Sequence, residues 1–217
     1  MESFDFIDYH QRLKTDMGQV LAGSGGDGDL SVIMLNLLDQ VETTLADHLT
    51  ADDHKTMACA AGCSSCCVIN VSVLFPEAVN IARHLRKNLD AEDLELLQHS
   101  MKKMVNVISG LDEEERIAVR RKCIFLNAQG QCDIYPVRPL LCRALTSTSA
   151  ADCRDALAMQ ALGEQVPIMM NLFQKNLFDV TFQALAAALE ETALDDRSLE
   201  LTEAVLQQLQ MLAACRT

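Results

Sequence analysis

The sequence predicts a mainly α-helical fold of about seven helices, interrupted by a small cysteine-bearing β-hairpin and cysteine-rich loops. Three observations lead there. Apolar residues recur at intervals of three and four along most of the chain, strand-like alternation is confined to two or three short stretches, and Cys59-Ala60-Ala61-Gly62-Cys63-Ser64-Ser65-Cys66-Cys67 packs four thiols into nine residues. At 217 residues and 23.9 kDa the chain suits a single domain over 1–217. It divides into N-terminal helices (1–50), a cysteine core (59–153) and C-terminal helices (167–217).

The first helix is read from residue 3 to residue 21, with Phe6, Leu13, Met17 and Val20 on one face. Gly23-Ser24-Gly25-Gly26-Asp27-Gly28-Asp29 ends it as a flexible connector. A phosphate-cradling reading of those glycines fails, because no strand precedes them and Asp27 and Asp29 would repel a phosphate. Met34, Leu38, Val41, Leu45 and Leu49 mark a second helix from Leu30, capped by Asp29 or Ser31. His54 is read as a solvated loop histidine rather than a ligand.

Val68 to Val73 reads as a short strand, and Pro76 suits the first turn of a helix facing inward at Val79, Ala82 and Leu85. Asp90 caps a helix with Leu94, Leu97, Met101, Met104 and Ile108 on one side. Asp112 caps another that begins with Glu113-Glu114-Glu115 and runs to Arg120-Arg121-Lys122, the charge order that the helix dipole favours. Cys123 to Leu126 and Cys132 to Tyr135 read as the two strands of the hairpin, with Gly130 in the turn. Leu140 to Arg143 forms a turn or short helix after Pro139. Cys153, Leu157 and Ala161 share a helical face, and the stretches 170–190 and 199–212 supply the last two helices.

With 49% hydrophobic residues, ten Met and no Trp, the core is aliphatic, so metal is not needed merely to rescue a small chain. A net charge of −13 and a pI near 4.7 argue against nonspecific binding to nucleic acid or anionic membranes. The first residues lack a secretory pattern and no apolar run reaches the ~18 residues of a membrane span. The expected location is the cytoplasm. Nine cysteines, an odd number, in a reducing compartment point to metal rather than disulfides.

Eight of the nine, Cys59, Cys63, Cys66, Cys67, Cys123, Cys132, Cys142 and Cys153, are spaced to converge on metal, which makes the loops metal-binding loops. Cys215 stands apart as a free or core thiol. Clustered thiolates select Zn, Cu(I) or iron-sulfur iron. Adjacent Cys66 and Cys67 point in different directions in most conformations, so one of them serves a second or bridging position. Eight sulfurs allow two four-thiolate zinc sites, one iron-sulfur cluster with spare cysteines, or two clusters. Residues 120–154 carry six cations against Asp133 and Asp152. Arg138 and Arg143 are the first candidates to sit behind the sulfurs, offsetting charge and donating N–H groups.

The order Cys59-x3-Cys63-x2-Cys66-Cys67, Cys123-x-Phe125-Leu126, Gly130-x-Cys132-x-Ile134-Tyr135-x2-Arg138-Pro139-x2-Cys142-Arg143 resembles the YkgJ-type cysteine-cluster family of zinc- or iron-chelating domains. This chain has one residue more between its first two cysteines than the usual opening, and Ile124 where a Pro is common. The resemblance implies metal chelation, and similar domains are associated with flagellin lysine N-methylases, so an enzymatic role follows by analogy alone.

The leading expectation is a cytoplasmic metal-binding protein that holds an iron-sulfur centre, preferred over Zn2+ for its larger anionic cluster, in a structural, sensing or delivery role. Its partners are the metal ion or cluster, with no nucleic acid, no membrane and an unidentified protein partner left open. A metalloenzyme or methyltransferase-associated subunit is the alternative. Cys59, Cys63 and Cys66 also resemble a radical S-adenosylmethionine loop, yet strand signals are too few for the barrel such a loop occupies. A thiol redox protein using Cys63 and Cys66 is the third reading, and it lacks the βαβ setting.

Overall fold

The computed structural model describes residues 4–160 and 163–214. Its described part is mainly helical, 66% helix, with ten α-helices and one two-stranded antiparallel sheet. Ala161 and Cys215 lie outside the described residues, as does the first residue expected in helix one.

Helix α1 (Phe6–Ala22) starts where the Asp5 carboxylate accepts from the Ile7 and Asp8 amides. Its buried face is Tyr9, Leu13, Met17 and Leu21, a continuous four-residue spacing. Val20, expected inside, is 46% exposed, and Phe6 only borders the core. The Tyr9 hydroxyl, 3.0 Å from Thr181 Oγ1, fixes which side of α1 faces inward.

Helix α2 (Asp27–His48) begins earlier than expected, with Gly26 as N-cap and no side-chain cap. Asp29 accepts from the Gly25 amide at 2.8 Å, and Ser31 donates to Asn80 Oδ1 at 2.7 Å, so neither caps the helix. A short α3 (Ala51–Thr56) is closed by the reciprocal Thr50 and Asp53 capping box. His54 therefore sits on a helix rather than a loop, exposed to solvent.

Helix α4 (Phe75–Asn88) is central, with Pro76 in its first turn and every residue from Pro76 to Ala82 buried. One face sends Val79 into a core built by α1, α2 and α9 (Leu172–Leu189). The other sends Ala78, Ile81, Ala82 and Leu85 into a second core with α5 (Ala91–Ile108) and α10 (Leu201–Ala214). Its Glu77 is 3% exposed. The carboxylate accepts from the Leu74 amide and from the Leu140 amide, 2.9 Å each, which ties α4 to α7 (Leu140–Ala144). Burial raises this carboxyl to about 7, although the two amides and the Arg143 charge oppose the rise.

Helix α6 (Glu113–Val119) has the expected Asp112 cap but stops at Arg120, whose φ of +51° is left-handed, so Arg121 and Lys122 lie beyond it. Helix α8 (Ala150–Gln160) packs on α6, and the first residues read as helix at 199 form a strand instead. Strand β1 (Ser72–Val73) pairs antiparallel with β2 (Leu199–Glu200), Ser72 with Glu200 and Val73 with Leu199, a partner far along the chain that local alternation does not reveal.

The expected hairpin is reduced to one antiparallel bridge with its turn, the Asp133 amide on Phe125 O and the Asn127 amide on Gln131 O, and neither arm forms a regular strand. Cys123 donates its amide to Cys67 O at 2.6 Å instead of across a hairpin, leaving one isolated bridge, Leu126 to Cys132. The Asn127 side chain accepts from the Gln129 and Gln131 amides, and Tyr135–Val137 turns into a 3-10 helix through Pro136. Among the described residues no helix is long and apolar enough to cross a membrane.

Candidate metal centre

The loop after α3 is anchored by the Ala58 amide on Ser147 O at 2.8 Å, which holds Cys59 beside the segment leading into α8. The Cys59 thiol approaches the same carbonyl at 4.0 Å. Gly62, at φ +89°, meets the turn at Gly130, at φ +73°. A Cβ on Gly130 would stand 3.2 Å from Gly62 O, so this position needs glycine for both its dihedral and the close approach. A 3-10 turn, Ser65–Val68, then presents Cys66 and Cys67. The bond from Cys123 N to Cys67 O splices this loop to the second cysteine segment.

In that second segment the Asp133 amide donates to Phe125 O at 2.8 Å, which sets Cys132 near Cys123. Phe125 and Ile134, buried in the second core, hold both ends down, and Cys123 and Cys132 pack against that core themselves. Cys142 rides on α7 and is positioned through the Glu77 bond to Leu140. Cys153 lies in α8, its amide on Ser149 O at 3.3 Å.

All eight described cysteines are free thiols; Cys59 and Cys66 are exposed and the other six half-buried. Their electrostatics differ. Cys66 and Cys67 act on each other: the neighbouring thiol and the Arg138 charge pull Cys66 toward the thiolate against the effect of burial, while Cys66 and burial push Cys67 up. Burial raises Cys123 to about 11 and also raises Cys132, Cys142 and Cys59. Those thiols stay protonated at neutral pH unless a metal displaces the proton.

Cations stand behind the sulfurs. Arg138 lies 5.0 Å above the Tyr135 ring, its charge reaches Cys66, Cys132 and Cys142, and its buried Nε has no hydrogen-bond partner. Arg116, 3% exposed on α6, gives Nη1 to Arg121 O at 2.7 Å, and its charge reaches Cys123. Its buried Nε is also unpartnered. Arg143 is committed elsewhere: Nη1 to Glu42 Oε1 at 2.5 Å, Nε to Arg138 O at 2.8 Å and Nη2 to Pro136 O at 3.1 Å. It clamps the turn that presents Arg138, and its charge reaches Cys132.

The buried side-chain atoms without a partner, among the described residues, are Arg116 Nε, Arg138 Nε and Asn70 Oδ1. The two arginines lie in the electrostatic shell of the cysteines, and Asn70 follows Cys67 by three residues. Soft sulfur donors backed by idle guanidinium N–H groups fit an anionic thiolate centre, which would accept those N–H bonds. Among the described residues no three His, Cys, Asp or Glu side chains stand arranged to hold a metal ion. Ligation therefore requires the sulfurs to close further than they do here.

Residues 58–162 match the family model described as "Putative zinc- or iron-chelating domain". This segment belongs to that cysteine-cluster family. The matched segment thus runs from the residue before Cys59 to two residues past α8 and contains the eight described thiols, Arg116, Arg138 and Arg143. Comparison with curated proteins and with solved structures returns no match.

Within residues 58–162, α8 packs on α6 and on the 3-10 turn that carries Cys66 and Cys67, the Cys123 amide bonds Cys67 O, and Glu77 of α4 bonds the first residue of α7. Arg116 went unmarked in the sequence, because its burial is imposed by the packing of α6 on α8 and not by any motif around it. Asn70 likewise reads as an ordinary strand residue until its buried, unpartnered carbonyl is seen.

Proposed function

We propose that this chain is a metal-binding protein whose clustered cysteines hold an iron-sulfur centre, or zinc in the same sulfurs, in a reducing compartment such as the cytoplasm. The observation that carries the reading is the pair of buried, unpartnered guanidinium N–H groups, Arg116 Nε and Arg138 Nε, on residues whose charges reach free thiols. An uncharged, metal-free pocket gives those donors nothing to bond, and an isolated buried donor costs roughly 1–3 kcal/mol.

Cys59, Cys63, Cys66, Cys67, Cys123, Cys132, Cys142 and Cys153 supply the ligands, each losing its proton on binding. Such a centre supplies either electron-transfer chemistry or a cross-link between elements. Arg138 donates to sulfur and offsets charge. Arg143 positions Arg138 through the 135–138 turn and adds its own charge, and Arg116 does the same beside Cys123. The preference for iron-sulfur rests on the number of sulfurs and of cations, which suit a larger anionic cluster.

Anaerobic purification followed by metal analysis and visible absorption tests the proposal. Iron and inorganic sulfide with a broad sulfur-to-iron band are expected. Zinc without the band would replace the cluster with zinc, and a preparation holding neither iron, zinc nor copper would overturn the metal reading.

A further inference from the structure

Away from the cysteines, the end of α4 leaves a face without a partner. The helix is buried from Pro76 to Ala82, but beyond it Arg83 and Lys87, one helical turn apart, are exposed on a cleft of about 880 Å3 that α4 shares with α2 and the start of α5. The cleft is lined with apolar side chains. Val32 and Leu35 of α2, three residues apart, are 57% and 46% exposed there, although both are large aliphatic groups. Leu89 and Leu94 join them from the α4 to α5 connection, and Pro136 and Val137 from the 3-10 turn.

The charged lining is mostly of one sign. Arg83 and Lys87 are in no ion pair among the described residues, and Arg86 gives Nη1 to a backbone carbonyl, Leu212 O, at 2.8 Å. The acid on the lining is Asp90, which takes the Asp93 amide at the α5 cap. Three cations against one acid, on a chain of net charge −13, give the cleft a sign opposite to that of the molecule as a whole. A small-molecule site aims a few buried polar groups at its ligand. Here the buried polar side chain, Asn80, already accepts from the Ser31 hydroxyl at 2.7 Å, and two of the cations are exposed, which suits an extended apolar ligand with acids along its edge.

We propose that this cleft is the docking groove for an acidic amphipathic helix of a partner protein, whose apolar residues cover Val32, Leu35, Leu89 and Leu94 while its carboxylates pair with Arg83 and Lys87. A second copy of this chain fits less well, since two grooves packed face to face would set the same cations against each other. The groove borders the cysteine domain. Val137 directly precedes Arg138, and the His84 ring, which burial holds below its ordinary titration, donates to the Asp133 carbonyl. A helix seated there touches the segment that carries Cys132 and Arg138. The docking proposal stands independently of whether the cysteines hold metal.

The test uses the full chain and a fluorescein-labelled helical peptide of about 18 residues, with Leu at intervals of three and four and Glu elsewhere, read by fluorescence anisotropy. Saturable binding that weakens with added salt is expected. Arg83→Glu combined with Lys87→Glu should weaken it roughly tenfold or more, and Leu35→Asp, at an exposed position, should do likewise. Lys102→Glu combined with Lys103→Glu makes the same charge change on an exposed part of α5 outside the groove and should leave binding unchanged. Far-ultraviolet circular dichroism checks that every variant keeps its helix content. Absence of binding, equal binding of a peptide with Lys in place of Glu, or equal weakening by the Lys102 and Lys103 reversal would overturn the groove. Two further results would reassign it: dodecanoate binding more tightly than the peptide and displacing it, which means a small amphipathic anion, or a dimer in sedimentation that Leu35→Asp dissociates, which means a second copy.

Discussion

The two hydrophobic cores are built differently. The first, between α1, α2 and α9, is enclosed by long helices whose buried faces are mostly aliphatic, such as Leu30, Met34, Leu37 and Val41 of α2, with Tyr9 of α1 and Phe178 of α9 among them. The second, between α4, α5 and α10, is closed on one side by an irregular segment: Phe125, Ile134 and Val137 are its plugs, with Cys123 and Cys132 at its edge. The first needs only its own side chains. The wall of the second has one isolated β-bridge and a few turn bonds to hold it, so its order is coupled to whatever joins the cysteines.

The sharpest way to break this comparison is a matched pair of truncations. Phe178→Ala in the first core and Phe125→Ala in the second should each cost about 3–5 kcal/mol in urea unfolding, since both rings are almost fully buried. Only Phe125→Ala should also lower metal content per folded chain. Equal metal contents in the two variants would show that the cores do not differ in this respect.

Metal removal probes the same contrast without mutation. Amide exchange in residues 123–137 should quicken after chelation, while α1 and α9 keep their protection. Uniform quickening would place the metal's influence on the whole fold.

Glu77 joins the two cores, and its pH dependence follows from its raised titration. Burial lifts it from 4.5 to about 7, so the folded state favours the protonated carboxyl. The stability it contributes is fully present below about 4.5 and is lost as the pH rises through about 7. Between about pH 5 and about pH 8 the metal-free protein should lose about 2–3 kcal/mol that Glu77→Gln does not lose. Parallel pH profiles would show that the carboxyl titrates normally.

The smallest effect expected is at a helix cap on the exposed side of the second core. Asp90 accepts from the Asp93 amide at 2.9 Å, and Asp90→Ala should cost about 1 kcal/mol with metal content unchanged.

Much of this was legible residue by residue. Asp90 and Asp112 cap the helices they were expected to cap, Pro76 opens α4, and Val79, Ala82 and Leu85 face inward, because caps and helical periodicity act within a few residues. The irregular course of residues 123–135, read from the sequence as a hairpin, was not legible. Cys123 and Cys132 alternate with apolar residues as strands do, yet the Cys123 amide finds Cys67, which no local pattern announces. The short β1 has its partner at Leu199–Glu200, far along the chain.

For the cysteines the sequence determined the ligand type: eight thiols at those spacings, with Arg138 and Arg143 among them, offer soft sulfur donors whatever the fold, since ligand type is fixed by the side chain. Only the tertiary structure decided which thiols are neighbours, which of them reach solvent, and that Arg116 stands behind Cys123 while Arg143 spends its donors on Glu42 and the 135–138 turn. Those relations depend on packing between elements dozens of residues apart, and burial, not residue type, sets how readily each thiol gives up its proton.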